Sequence, residues 1–398
     1  MSIIMGGDVN QIGGPPPRLA LLRSFAFFSE PERLGLNGRI CREWDSILFE
    51  PVLWSRLELD SARLRLFWKR PSCLEDFLQL VRTVQRIDIT IRHFSEQKAE
   101  DKHGDLFLIR SICLNLVHNR HLKEITLDCD SKVAWGYVRK FWRSYVGTTL
   151  RSLKISGHCC VEPQDFCLPN AQGLRCLKFS ASSNGMQVLH DCISQTRYLE
   201  SLECGISVTG RYAASDEFKY SPSNLNFLKI FHIYLNDQRM LGKHTALQEL
   251  HSIVRASNSL PCLEDLHIGT KFHVSNIALD LPALANRTLK KCELTGFIPP
   301  FGPLPYLAHL ALNFDFGFDR RVPERWNILT ETVMSRIASA NVDSGTMPHL
   351  IGFQLLFTID TKISGSSLLD LECWEIFRGQ ILLEHPQMQC VSFHLHEV

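Results

Sequence analysis

The chain contains 398 residues, of which 45% are hydrophobic and 21% charged, so a wholly disordered polymer is excluded. Its formal net charge of +1 provides no bulk electrostatic attraction to nucleic acid or to an anionic membrane. No uncharged apolar run reaches the ~18 residues of a membrane-spanning helix, and the first residues lack a signal-peptide pattern. We therefore expect a protein of the cytoplasm, the nucleus or both, with no membrane partner and with nucleic acid disfavoured.

The 14 cysteines are scattered along the chain without a Cys-x-x-Cys pair. This distribution is typical of free, mostly buried thiols in a reducing compartment rather than of a disulfide framework.

The first 60 residues divide into two segments. Residues 1–15 carry several glycines and little periodicity, which predicts a flexible leader. Residues 16–60 place apolar side chains at helical spacing, with a turn at "SEPER" from Ser29. Two or three short helices of this size form too small a core to be stable alone, so we expect a neighbouring domain or a partner protein to cover them.

Residues 61–398 repeat one pattern, in which an apolar residue is followed after two variable positions by a second apolar residue and then, two residues later, by a third. From Leu122 to Leu225 the copies begin 24 to 28 residues apart, a period typical of stacked α/β repeats. Longer intervals later in the chain contain helical segments at 329–341 and 369–385, whereas the short interval with "PPFGPLP" predicts a loop. The clear copies begin at Leu122, Leu150, Leu174, Leu199, Leu225, Leu263, Leu289 and Leu307, and weaker ones at Val84, Leu350 and Met388.

The last two apolar residues of each copy lie two positions apart, so they point to one side of a short strand. One copy cannot bury that side by itself, and stacked copies protect each other. The fold class predicted is therefore an α/β repeat solenoid, with a curved parallel sheet on one side and helices or loops outside. Ordinary strands of an α/β sheet are the alternative.

This array resembles the leucine-rich-repeat family. It departs from the family pattern after the strands, where an Asn or Cys is usual and Asp130, His158, Ser182 and Ser207 stand instead. The departure predicts an irregular horseshoe with uneven curvature.

The segment "PPPRLALLRSFAFFSEPERLGLNGRICREWDSILFEPVLWSRLEL" resembles an F-box, through Ile40-Cys41-x-x-Trp44 and the later Glu50-Pro51-x-Leu53-Trp54. Together with the repeats, it places the chain among sequences similar to the F-box/leucine-rich-repeat family. The resemblance implies a non-catalytic substrate-recognition subunit of an SCF-type cullin–RING ubiquitin ligase, in the ubiquitin conjugation pathway. The F-box would bind a Skp-type adaptor, and through it the cullin and RING subunits, while the repeats bind a protein substrate.

The residues that the resemblance assigns to adaptor binding are mostly apolar and aromatic, the kind that dominates interface energy. They are Pro17, Leu21, Phe25, Phe28, Leu34, Leu36, Ile40, Cys41, Trp44, Pro51, Leu53 and Trp54. A second interpretation stays open for Trp44 and Trp54, namely that they pack the helical module against the first repeats.

Variable strand positions alternate with buried ones and so face the concave side of the sheet. Three lysines in nearby copies, with one intervening glutamate and two phenylalanines, predict a mildly cationic stripe that receives an acidic or phosphorylated segment. A solvated sheet face is the other interpretation. The candidate substrate-binding residues are Lys154, Lys178, Glu203, Phe227, Lys229, Phe231 and His267.

The segment "VAWGYVRKFWRSYVG", residues 133–147, mixes aromatic and cationic side chains. It has the composition of a nucleic-acid or membrane contact, but also that of an outer helix of the repeat that begins at Leu122.

The sequence carries no phosphate-binding loop, no nucleophile elbow and no His-Glu-x-x-His motif. His158, Cys159, Cys160 and Cys167 are metal-binding residue types, but adjacent cysteines cannot readily chelate one ion. We therefore expect no enzymatic activity, no cofactor and no metal. The alternative to a ubiquitin-ligase subunit is a repeat scaffold that binds proteins without ubiquitin transfer, with the first helices as its cap.

Overall fold

The structure is a computed structural model, and the chain divides into two compact units, Met1–Thr149 and Leu150–Val398. It describes residues 18–26, 53–54, 56–60, 64, 74–91, 99–129, 136–140, 149–157, 173–181, 189, 193–208, 225–237, 243–270, 281–315, 333, 335–337, 339–340, 342–359 and 371–397.

The first unit alternates helices and strands. Its described elements are α1 (Arg18–Ala26), β1 (Arg56–Asp60), α2 (Leu74–Val81), β2 (Arg86–Ile91), α3 (Ala99–Leu116) and β3 (Glu124–Cys129). Strand β2 pairs in parallel with both β1 and β3, so the chain must cross over between each pair of neighbouring strands.

In the described part of the second unit, nine strands follow one another along the chain, with α-helices named between two pairs of them. Its described elements are β4 (Ser152–Gly157), β5 (Cys176–Ala181), β6 (Ser201–Val208), β7 (Ile230–Asp237), α4 (Lys243–Ser259), β8 (Asp265–Thr270), β9 (Lys291–Thr295), β10 (His309–Asp315), β11 (Gly352–Ile359), α5 (Leu371–Glu384) and β12 (Cys390–Glu397). Each strand pairs in parallel with the next one along the chain, from β4 to β12.

A backbone hydrogen-bond motif repeats where the strands begin. The N–H groups of Glu200 and Ser201 both donate to the carbonyl of Arg175, and those of Glu264 and Asp265 both donate to the carbonyl of Lys229. The same pair of bonds recurs up to β12, where Gln389 supplies the first of the two donors. The strands therefore stack with one constant register, as expected when each repeat buries its apolar side against the next.

The core consists of the apolar positions that the sequence pattern predicted. In the copy that begins at Leu263, for example, Leu263, Leu266 and Ile268 are fully buried. The same three positions are buried in the copies that begin at Val84, Leu122, Leu150, Leu174, Leu199, Leu289, Leu307 and Leu350. The prediction of an α/β repeat with a parallel sheet is confirmed at this level.

The prediction that one copy begins at Leu225 is wrong. Leu228, Phe231 and Ile233 are the buried residues that correspond to the three pattern positions, while Ile230 is part-exposed. Leu225 is also buried, but it lies three residues before the true start. The burial of Phe231, Ile233 and Leu235 on one strand face outweighs the match to the shorter pattern.

A polar residue three positions before the pattern joins some neighbouring repeats. The amide of Asn286, a buried residue, donates to the carbonyls of Ser257 (2.7 Å) and Leu260 (3.0 Å), and its oxygen accepts from the N–H of Thr288. Asn119 makes the equivalent bonds to Val81, Val84 and His121. These bonds satisfy backbone groups where the preceding helix ends, whereas the leucine-rich-repeat pattern places its Asn or Cys after the strands.

The predicted helix at 369–385 is confirmed as α5, and the segment 329–341 is helical at Val333 and at 335–337. The prediction of a loop in the short interval is also confirmed, because residues 296–308 contain no helix. In the segment 133–147, residues 136–140 are helical and Val138 is buried, in line with an outer helix. The leader at 1–15 lies outside the described residues.

Candidate functional site

The open face of the sheet in the second unit carries a row of mostly polar side chains, here named the central row. It contains one residue from each strand, and register pairing makes each the neighbour of the next. From β4 to β12 the row reads Lys154, Lys178, Glu203, His232, His267, Glu293, Ala311, Gln354 and Ser392.

The predicted cationic stripe is only partly present in this row. Lys154 is exposed, but Lys178 forms an ion pair with Glu203 (Nζ–Oε1, 2.5 Å). The prediction that Lys229 continues the stripe is wrong, because Lys229 precedes β7 and His232 takes the position next to Glu203. Of the three lysines of the stripe, Lys178 is thus the one whose charge a described ion pair compensates.

The two predicted phenylalanines also leave the open face. Phe231 is 1% exposed and belongs to the core, and Phe227 precedes β7 with 47% of its surface exposed. The ring of Phe227 lies 5.7 Å from that of Tyr198, at the end of the sheet where the strands begin. The prediction that these phenylalanines face the concave side is wrong for the same reason as the misplaced repeat.

The corrected register brings Tyr234 onto the open face, next to the central row. Its ring centroid lies 4.6 Å from that of His267, and its hydroxyl lies 2.9 Å from Nδ1 of the same residue. A neutral imidazole that accepts from the tyrosine hydroxyl at Nδ1 carries its proton on Nε2, which faces Thr295 and Glu293. The tyrosine, the histidine and the two acceptors thus form one connected polar cluster.

Two glycines flank Tyr234 on the neighbouring strands, since Gly205 of β6 and Gly269 of β8 are its register partners. A Cβ atom on Gly269 would lie 2.6 Å from Cδ1 of Tyr234, which is closer than any side chain permits. No atom of Tyr234 comes within 4 Å of a Cβ built on Gly205, whose nearest contact is Ser180. The ring therefore leans over Gly269 and away from Gly205.

Carboxylates surround the histidines. Asp265 Oδ1 lies 3.3 Å from His232 Nε2, and Glu293 Oε1 lies 3.6 Å from His267 Nε2. Glu293 also accepts from the amide of Asn313 at 2.7 Å. The burial of His267, which is 8% exposed, lowers its pKa even though the nearby Glu293 opposes the shift, so the ring is neutral at pH 7.

The hydroxyl of Tyr234 experiences these negative charges directly. Part burial raises its pKa to about 12, and the charges of Glu293 and Glu203 act in the same direction. These two carboxylates therefore lower the electrostatic potential at the tyrosine hydroxyl at neutral pH.

The open face of the first unit carries a separate ion-pair network. Asp88 of β2 accepts from Arg56 at 2.7 Å and from Arg86 at 3.1 Å, and Arg86 also pairs with Glu124. Partial burial alone would raise the pKa of Asp88, but hydrogen bonds from Thr126 and Arg56 and the positive charges lower it below the usual value. The network leaves no uncompensated charge among these four ionised side chains, so it functions as a structural ladder across three strands.

Four of the residues assigned to adaptor binding lie in the described part of the chain, and all four are buried: Leu21, Phe25, Leu53 and Trp54. Their burial agrees with the interpretation in which Trp54 packs inside the chain. Phe25 is likewise packed inside the chain. Its contact with an adaptor stays a prediction. The others, Pro17, Phe28, Leu34, Leu36, Ile40, Cys41, Trp44 and Pro51, lie outside the described residues, as does the metal candidate around His158.

Within the described ranges, no three His, Cys, Asp or Glu side chains converge as metal ligands, and the cysteines that can be placed are free thiols. No helix in that part of the chain is both long and apolar enough to cross a bilayer. No protein-family model matches the chain, and no curated protein matches its sequence.

Proposed function

We propose that this chain is the substrate-recognition subunit of an SCF-type cullin–RING ubiquitin ligase, with a leucine-rich-repeat solenoid that follows an N-terminal F-box. In this proposal residues 16–60 bind a Skp-type adaptor, and the open face of the repeat sheet binds a protein substrate. The chain itself performs no chemistry. It holds the substrate close to the conjugating enzyme that the cullin and RING subunits carry.

The observation that carries the proposal is the order of two features along the chain. The motif Ile40-Cys41-x-x-Trp44 and the ending Pro51-x-Leu53-Trp54 stand directly before the first strand of a parallel repeat. A short helical module followed by a repeat with an open polar face is the arrangement expected when one end docks on a ligase and the other selects a target.

Capture of the adaptor tests the proposal. The tagged full chain, expressed in cells, is expected to co-purify a Skp-type adaptor and a cullin. Substituting two proposed anchors, Leu34→Ala with Trp44→Ala, should lower adaptor capture more than tenfold, because anchors of this type contribute roughly 2 kcal/mol or more each. The control is Leu383→Ala, which changes an 83% exposed leucine on α5.

The thermal unfolding of each variant must match that of the wild type, so that lost capture cannot be explained by unfolding. Absence of both adaptor and cullin from the wild-type sample would overturn the proposal. Equal capture by the double variant and the control would do so as well.

A repeat scaffold without ubiquitin transfer is the second candidate. It is favoured by the burial of Leu21, Phe25, Leu53 and Trp54 within the chain, which is what a cap on the repeats requires. The adaptor-capture experiment distinguishes the two candidates. A scaffold captures proteins through its repeats, but it captures neither a Skp-type adaptor nor a cullin.

A further inference from the structure

One part of the open sheet face is built differently from the rest. Around Tyr234 the surface combines an accessible aromatic ring, bare backbone on one side of it and carboxylates within reach. These features come from β6 to β9, and they do not depend on residues 16–60.

The aromatic ring is held in a fixed orientation. Its hydroxyl is hydrogen-bonded to His267 at 2.9 Å, and the two rings meet in a T-shaped contact with their centroids 4.6 Å apart. Its lean over Gly269 is possible only because that position has no side chain. Even so, 38% of Tyr234 is exposed. A rigid and accessible aromatic side chain is a favourable contact because it loses little entropy when a partner binds.

The bare backbone lies on the other side of the ring. Gly205 is part-exposed, and only Ser180 comes within 4 Å of a Cβ built there. A side chain from a partner can therefore lie over Gly205 and pack against Tyr234. This shallow recess is bounded by Ser180, Gly205 and Tyr234.

Two carboxylates lie near the recess, and Lys178 compensates one of them. Glu203 occupies the same strand face two residues before Gly205, and Glu293 lies on the far side of His267. The neighbouring histidine does not cancel these charges, because burial keeps it neutral at pH 7. Lys178 is the cation that pairs with Glu203, and its side chain stays part-exposed in that pair.

From this charge complementarity we propose that the recess binds a basic side chain, arginine or lysine, of a peptide segment in the partner protein. The cation packs against the Tyr234 ring and pairs with Glu203, in competition with Lys178. The inference rests on the proposed function only in taking this sheet face as the substrate-binding surface. It replaces the acidic segment expected from the sequence with a basic one.

Binding of defined peptide pools to the purified full chain tests this inference. Four pools of nine-residue peptides share randomised flanks and carry Arg, Lys, Gln or Glu at the centre. The Arg pool should bind at least about five-fold more tightly than the Gln pool, since a cation over an aromatic ring contributes about 1 kcal/mol. The Glu pool should bind most weakly.

Variants identify the recess as the source of that preference. Tyr234→Ala and Gly205→Val should abolish the difference between the Arg and Gln pools, whereas Tyr234→Phe, which keeps the ring, should preserve it. Lys178→Gln should strengthen Arg binding because it removes the competing cation from Glu203. Tyr306→Ala, which removes a 60% exposed ring elsewhere on the unit, is the control and should change nothing.

The inference is overturned if wild-type protein binds the Arg and Gln pools equally, if the Glu pool binds best, or if the preference survives Tyr234→Ala. Adaptor capture does not enter this experiment. A chain that captures no adaptor but prefers the Arg pool would refute the proposed function and support the recess.

Discussion

The Asn286 side chain donates a hydrogen bond to the carbonyl of Leu260 (3.0 Å) across the boundary between two repeats. Asn119 makes the equivalent contact to Val84 in the first unit. These asparagines satisfy carbonyls that helix ends leave without an intrahelical partner. Each of the two links its own repeat to the one before it, in a place where the sequence pattern of apolar residues gives no signal.

Replacing Asn286 by alanine should therefore destabilise the second unit. The change leaves the buried carbonyls of Ser257 and Leu260 without this donor, and we expect the free energy of unfolding to fall by about 2–4 kcal/mol. Urea denaturation followed by circular dichroism measures the loss. The matched control is Asn258→Ala. The side-chain amide of Asn258 donates to the carbonyl of Ala283 nearer the surface, so this substitution should lower the free energy of unfolding by about 1 kcal/mol or less. Equal costs for the two variants would contradict this role for Asn286.

The contact between Tyr234 and Gly269 leads to a second prediction. Gly269→Ala places a Cβ 2.6 Å from Cδ1 of the ring, so the ring must move and stability should fall by about 1–2 kcal/mol. Gly205→Ala is the matched control, because its nearest contact is a serine hydroxyl at 3.2 Å and its cost should stay below about 0.5 kcal/mol.

A double-mutant cycle separates this clash from a general effect of alanine in a strand. In a Tyr234→Ala background, Gly269→Ala should cost nothing or stabilise slightly, because the atoms that it meets are gone. If the cost of Gly269→Ala is the same in both backgrounds, the ring does not lie over Gly269.

Glu249 on α4 gives a prediction about pH. Part burial raises the pKa of its carboxyl to about 7, above the ordinary value of 4.5. The folded state therefore binds more protons than the unfolded state between these values, and stability falls as the pH rises from 4.5 to 7. Glu249→Gln should stabilise the chain by about 1–2 kcal/mol at pH 8, after allowance for solvent screening, and should have no effect below pH 4.5.

Thermal unfolding across that pH range measures the difference. The control is Glu264→Gln, because a hydrogen bond from Lys290 lowers the pKa of the Glu264 carboxyl and the sign reverses. Its carboxylate stabilises the fold above the ordinary pKa, so this variant should lose stability at neutral pH and recover it in acid. A gain for Glu249→Gln that did not depend on pH would rule out this explanation.

The apolar pattern was sufficient to predict the strands because nearly every repeat buries the same three positions, the copy that begins at Met388 being the exception. It failed at Leu225, where two overlapping matches competed and the longer apolar run of Phe231, Ile233 and Leu235 determined the register. The error moved Phe231 to the wrong face and hid His232 and Tyr234. A preference for the match that buries the most apolar area would have found both residues.

The site around Tyr234 could not be predicted in the same way. Tyr234 and His267 are 33 positions apart, and their contact depends on the register of β7 against β8. The importance of Gly205 and Gly269 appears only when their register partner is known, since a glycine in a variable strand position has no distinctive local pattern. The sequence pattern thus predicts which sheet face is open, but not the contacts of Tyr234 with His267 and Gly269 on that face.

One crosslinking experiment tests directly whether the open sheet face binds the substrate and whether residues 16–60 bring about its ubiquitination. A photo-crosslinking amino acid replaces Lys154, an exposed residue of the central row outside the recess, in the full chain. The chain is expressed in cells with the proteasome inhibited, and crosslinked partners are purified under denaturing conditions and probed for ubiquitin. We expect the crosslinked partner to carry ubiquitin, and Leu34→Ala with Trp44→Ala to lower that signal at least about tenfold with the crosslinking yield unchanged. An equal ubiquitin signal with and without the two substitutions would contradict the account.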